Sequence, residues 1–142
     1  ALSPLALYSQ STQETEMTFT SLHTGSGRTE DGSRFSFWLA KSSDGVAISA
    51  RTEKRRSVTR AQRVLSKEIK GAEIIERGRK TNNKGEPVGQ RVVGCFPAKD
   101  GQKSKCLILW TDGSDFHHLE AASLPHLLAF EKKYYGTQSA ND

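Results

Sequence analysis

Apolar and polar positions alternate strictly from Ser33 to Ala40, with Phe35, Phe37 and Leu39 on one side and Arg34, Ser36 and Trp38 on the other. A period of two over this length predicts a half-buried strand. After the turn-forming Ser42-Ser43-Asp44-Gly45, the alternation resumes at Val46, Ile48 and Ala50, so residues 33–52 are expected to form a hairpin. The period then changes. Between Arg56 and Lys70, the apolar residues Val58, Ala61, Leu65 and Ile69 fall within about 80° of arc at a helical 100° per residue. Ser57 is placed to cap the start of this helix and Gly71 to end it in a left-handed conformation.

Ala72 to Glu76 predicts another strand. From Val88 to Trp110 two apolar runs flank Lys99-Asp100-Gly101-Gln102, which predicts a second hairpin. Its second arm, Cys106 to Trp110, is apolar on both faces and so is expected to be a central strand. Phe116 to Ala121 reads as a further strand. A final helix follows, with Ser123 as its cap, Pro125 in its first turn, Leu124, Leu127, Leu128 and Tyr134 or Tyr135 facing the core, and Gly136 as its stop.

The fold class expected is therefore α+β: an antiparallel sheet of about five to six strands, with helices near residues 57–70 and 124–135 packed against it, one or both across one face. Four Asp-Gly pairs, at 31–32, 44–45, 100–101 and 112–113, provide the short turns that antiparallel neighbours need. Residues 1–142 read as a single domain. Within it, residues 1–30 are expected to be irregular. They hold an isolated apolar group at Leu5, Leu7 and Tyr8, a short strand near Met17 to Thr20, and a flexible loop at Gly25-Ser26-Gly27. Residues 137–142 are expected to be a frayed tail.

Composition narrows this picture in two ways. At 35% hydrophobic and 26% charged residues the chain matches a globular protein, and no apolar run approaches the ~18 residues of a membrane-spanning helix. The start at Ala1, without an initiator methionine, is what a mature or trimmed form would have. The net charge of +5 is unevenly spread: residues 51–84 hold 12 Lys or Arg against four Glu.

The only two cysteines, Cys95 and Cys106, are symmetric about Asp100-Gly101 and would lie opposite one another in a simple hairpin. A two-residue loop would put them at a hydrogen-bonded pair and leave Pro97 where a ladder donor is needed. Register counting therefore favours a four-residue loop, 99–102, with the cysteines at a non-hydrogen-bonded pair. A disulfide there implies an oxidising, extracytoplasmic compartment, secreted or periplasmic.

Opposite the apolar stripe of the first helix, Arg56, Arg60, Arg63, Lys67 and Lys70 share a second arc, a row roughly 21 Å long at ~1.5 Å rise per residue. With Arg77, Arg79 and Lys80 beyond it, this row is a candidate polyanion-binding surface for nucleic acid, acidic polysaccharide or an anionic membrane surface. The simpler reading is the solvated outer face of an amphipathic helix. No aromatic residue interleaves with the row, so a stacking platform for single strands is not expected.

Other chemistry is sparse. His118 and Glu120 share a strand face and His126 could approach them, but His117 and His118 point to opposite sides, so metal binding is not expected. No motif joins a nucleophile to a base around Asp112, Asp115 or a serine-histidine pair, and none implies a cofactor. The expectation is a small extracytoplasmic binding or interaction domain without a catalytic motif, whose partner is a protein or an anionic polymer. A polyanion or nucleic-acid module using the basic helix is the alternative, and a hydrolase with an unrecognised site a weaker one.

Overall fold

A computed structural model describes residues 17–136 and 139–141. Its strands are β1 (Phe19–Arg28), β2 (Arg34–Ser42), β3 (Ala47–Lys54), β4 (Glu73–Thr81), β5 (Pro87–Phe96), β6 (Lys105–Asp112), β7 (Asp115–Ala121) and β8 (Ser139–Asn141). The helices are α1 (Val58–Ile69) and α2 (Leu124–Tyr134). All strands join one antiparallel sheet in the order β1-β2-β3-β7-β6-β5-β4-β8. The α+β class and the antiparallel sheet are as expected, but the strand count exceeds five to six: seven long strands and a three-residue eighth.

The surplus comes from the chain ends. Residues 19–28, expected to be irregular apart from a short strand near Met17 to Thr20, form the ten-residue edge strand β1. The supposed loop Gly25-Ser26-Gly27 lies inside it and pairs with Phe37, Ser36 and Phe35. Tertiary contact explains the glycines, because a Cβ on Gly25 would stand 2.6 Å from the Phe37 ring, which lies across the bare backbone. In the expected tail, Ser139–Asn141 pair with β4. Leu5, Leu7 and Tyr8, and residues 137, 138 and 142 of that tail, lie outside the described residues.

The helices cover opposite faces of the sheet, so that of the two expected arrangements one helix, not both, lies across each face. On one face α1 buries Ala61, Leu65 and Ile69 against Val92, Leu107, Leu109 and Phe116. On the other, α2 buries Leu127 and Phe130 among Ile48, Val93, Cys106, Ile108, Trp110 and Leu119. β6 supplies both clusters from alternate residues, which is why its sequence is apolar throughout. Trp38 packs on α2, with its ring centroid 4.9 Å from those of Phe130 and Tyr134, and donates Nε1–H to Ser21 Oγ at 3.0 Å. Val58, in the first turn of α1, is exposed although the pattern placed it inward.

Ser57 caps α1 as expected, accepting from Arg60 N–H, and Gly71 takes a left-handed φ of +88° just past its end. Ser123 makes no side-chain cap to the backbone of α2; its hydroxyl is engaged by His126 Nδ1 at 2.6 Å instead. One charged pair is fully enclosed. Arg91 on β5 (2% exposed) donates Nε and Nη2 to both carboxylate oxygens of Glu131 on α2 (1% exposed), at 2.9 and 2.6 Å. Its Nη1 reaches Glu76 at 2.7 Å. This bidentate pair ties α2 to the centre of the sheet.

Cys95 and Cys106 are disulfide-bonded and directly opposed, with Cα atoms 4.0 Å apart. The turn between them differs from the expected four-residue loop. Lys99 and Gln102 exchange both backbone hydrogen bonds around a two-residue turn in which Asp100 and Gly101 have φ of +44° and +82°. The register argument fails because the ladder ends at Phe96 and Lys105. Pro97 therefore faces no ladder acceptor, and pairing resumes only at Lys99 and Gln102.

Two substitutions test these tethers by chemical denaturation. Cys95→Ser with Cys106→Ser is expected to lower the unfolding free energy by about 2–3 kcal/mol, because it frees a short ring in the unfolded chain. Glu131→Ala, which leaves the buried Arg91 guanidinium with Glu76 alone, is expected to cost about 3–5 kcal/mol.

Candidate functional site

The outer side of α1 is strongly basic. Arg56, Arg60, Arg63, Lys67 and Lys70 are all exposed, as the helical spacing predicts once Ala61, Leu65 and Ile69 are turned inward. Among the described residues, Arg60, Arg63, Lys67 and Lys70 enter no ion pair. Cations elsewhere are treated differently: Arg51 and Arg55 meet Glu53 at 3.2 and 2.9 Å, and Arg91 meets Glu131 and Glu76.

The structure divides the second half of the predicted set. Arg77 and Arg79 are exposed on β4 and, with Gln62 and Leu65 of α1, line a cleft on the α1 face. Lys80 points the other way. It is 6% exposed, and its ammonium sits 4.7 Å from the centre of the Trp110 ring on the α2 face. Burial lowers its pKa. Alternation along β4 separates Lys80 from its neighbours, a consequence of the period-two strand rather than of the local charge run. Lys80 thus leaves the candidate surface.

In exchange, tertiary structure adds cations that no single stretch of sequence groups together. A cleft of about 350 Å³ at the head of α1 is lined by Arg28 and Arg34 from the β1–β2 turn, Lys54 from the end of β3, and Arg55 and Arg56. Arg56 belongs both to this cleft and to the row on α1. Arg28 and Arg34 are cross-strand partners, so two like charges face each other. One carboxylate, Asp31, lies among them; it receives the Thr29 hydroxyl, the Ser33 backbone N–H at 3.1 Å and Arg55 Nη2 at 3.5 Å. The signal in the sequence was weak: isolated arginines flanking Asp31-Gly32, ordinary until the turn folds onto the β3–α1 link.

The histidines disperse. His118 Nε2 lies 3.2 Å from Glu120 Oε1, but His126 turns away to Ser123 and to Asp44, whose Oδ2 is 2.8 Å from its Nε2. Among the described residues, no group of three or more His, Cys, Asp or Glu could hold a metal ion. The Ser123-His126-Asp44 row contains the residue types of a hydrolytic triad. It ties the β2–β3 turn to the head of α2, and Asp44 is further held by the Ser42 hydroxyl. The Ser42 and His126 hydrogen bonds keep the Asp44 carboxyl below the usual range.

His117 lies on the α2 face, stacked on Trp110 at 4.7 Å with Nδ1 2.9 Å from Thr52 Oγ1. Burial lowers its pKa from the usual value near 6.5. Among the described residues, no helix is long and apolar enough to cross a membrane. The disulfide is compatible with an extracytoplasmic location. Comparison with protein-family models, with curated proteins and with solved structures finds no match for the chain.

The His117 environment generates a pH prediction. Its imidazole binds a proton less readily folded than unfolded, so the unfolded chain takes up more protons below the usual histidine value. Stability is therefore expected to fall as pH drops from 7.5 towards 5.5, read as the thermal midpoint. His117→Phe, which keeps a ring against Trp110 but cannot titrate, should flatten that slope; an unchanged slope would assign it to other groups.

Proposed function

We propose that the protein is a polyanion-binding module acting outside the cytoplasm, with the outer face of α1 as its contact surface and Arg77 and Arg79 beside it. The observation that carries this reading is the uneven distribution of partners. Carboxylates neutralise Arg51, Arg55 and Arg91, whereas Arg60, Arg63, Lys67 and Lys70 stand exposed without an ion pair among the described residues. A helix whose polar face served only solubility would gain from acids at i+3 and i+4, yet Glu68 is the only acid on α1. Five like charges in a row repel each other, and a polymer of anions relieves that repulsion while releasing its own counterions. The Cys95–Cys106 disulfide supports the compartment, since such bonds persist where thiols are not kept reduced.

Retention on immobilised heparin at low salt, eluted by NaCl, tests the surface. The wild-type chain should bind and elute with rising salt, and Arg60→Glu, Arg63→Glu, Lys67→Glu together should abolish retention. Retention unchanged by the triple reversal would end the proposal. Thiol titration of the natively purified protein tests the compartment, with no free thiol expected before reduction and two free thiols counting against it.

A further inference from the structure

The cleft at the head of α1 differs from the row that leads out of it, because its charges converge instead of lying in line. We infer that it holds a single tetrahedral oxyanion, a sulfate or phosphate monoester carried by the polymer. This inference rests on the polyanion reading and names the chemistry of the group that anchors it.

Four features support a discrete site. First, five cations surround about 350 Å³, room for one such group with part of its carrier, against two carboxylates, Asp31 and Glu53, that both engage Arg55. Second, Arg28 and Arg34 face each other directly across β1 and β2, an arrangement that costs stability unless an anion lies between them. Third, Asp31 offsets only one of these charges. Its carboxylate is occupied by Thr29, the Ser33 N–H and Arg55, and those hydrogen bonds, with Thr29 foremost, keep it ionised by holding its pKa well below the usual range. Fourth, Arg55, which lines the cleft, keeps its Nε–H buried without a hydrogen-bond partner. Buried donors without acceptors are uncommon in folded proteins, and an oxyanion supplies acceptors.

The shape argument selects the ligand. A carboxylate offers two oxygens in one plane and a single charge. A phosphate or sulfate monoester offers three oxygens in different directions, matching donors that arrive from the β1–β2 turn, the end of β3 and the head of α1. Arginine forks suit that geometry better than lysine point charges do, and the first-turn amides of α1 add a partial positive charge.

Calorimetric titration of the whole chain with sodium sulfate and with sodium phosphate, at ionic strength held constant with chloride, provides the test. Saturable 1:1 binding is expected. Arg28→Ala with Arg34→Ala should weaken it roughly tenfold or more, while Arg60→Ala with Arg63→Ala, which removes the same charge from the row, should leave it nearly unchanged. Circular dichroism of both variants confirms that each is folded. Absence of a saturable isotherm, or an equal loss in both variants, would overturn the inference. Heparin, polyphosphate and polygalacturonate, offered as competitors, separate sulfate, phosphate and carboxylate as the source; displacement by polygalacturonate as effective as by the others would also overturn it. The heparin retention of the triple reversal variant, measured alongside, keeps the two readings apart. Lost retention without a sulfate site removes the cleft alone, and a sulfate site in a protein whose retention ignores the reversal removes the polymer alone.

Discussion

A strand apolar on both sides must be covered twice, and β6 imposes that requirement on everything around it. Leu107 and Leu109 need one helix, while Cys106, Ile108 and Trp110 need another, so α1 and α2 are driven to opposite faces. The sheet is wider than either helix. α1 packs over β5, β6 and β7, leaving Phe35, Phe37 and Leu39 of β2 on the uncovered part of the same face. The Arg91–Glu131 pair and the disulfide then brace the α2 side, one from the helix to the sheet and the other across adjacent strands.

Covering β6 also sets the electrostatics. Once Ala61, Leu65 and Ile69 are committed to the core, α1 can present only its opposite arc to solvent, and that arc is basic. Glu68 is on α1 itself, but acids that pair with cations are elsewhere: Glu76 and Glu131 on Arg91, Glu53 on Arg51 and Arg55, and Asp31 in its own turn. The result is a charge asymmetry larger than the net +5 suggests, because the carboxylates that do pair with arginines pair with ones away from the row.

Local periodicity was enough to place α1, its Ser57 cap, its Gly71 stop and its outward cations, since helix geometry converts spacing directly into direction. It was also enough for the β2–β3 hairpin and for the opposed cysteines. Periodicity failed where the deciding contact was distant. Gly25 and Gly27 resemble a flexible loop until the rings of Phe37 and Phe35 lie across them. Ser123 resembles a helix cap until His126 takes its hydroxyl. Pro97 weighed against a two-residue turn only while the ladder was assumed to be unbroken.

The candidate site divides along the same line. Its linear part, the row on α1, was determined by the sequence alone, because residues three and four apart share a helix face whatever the helix packs on. Its convergent part was decided by tertiary structure. Arg28, Arg34 and Lys54 join Arg55 and Arg56 only when the β1–β2 turn comes up against the β3–α1 link, and Lys80 is excluded only when β4 takes its place in the sheet and turns that side chain onto Trp110. Charge in a sequence is a count; whether it converges depends on which strands become neighbours, and that was decided by covering β6 on both sides.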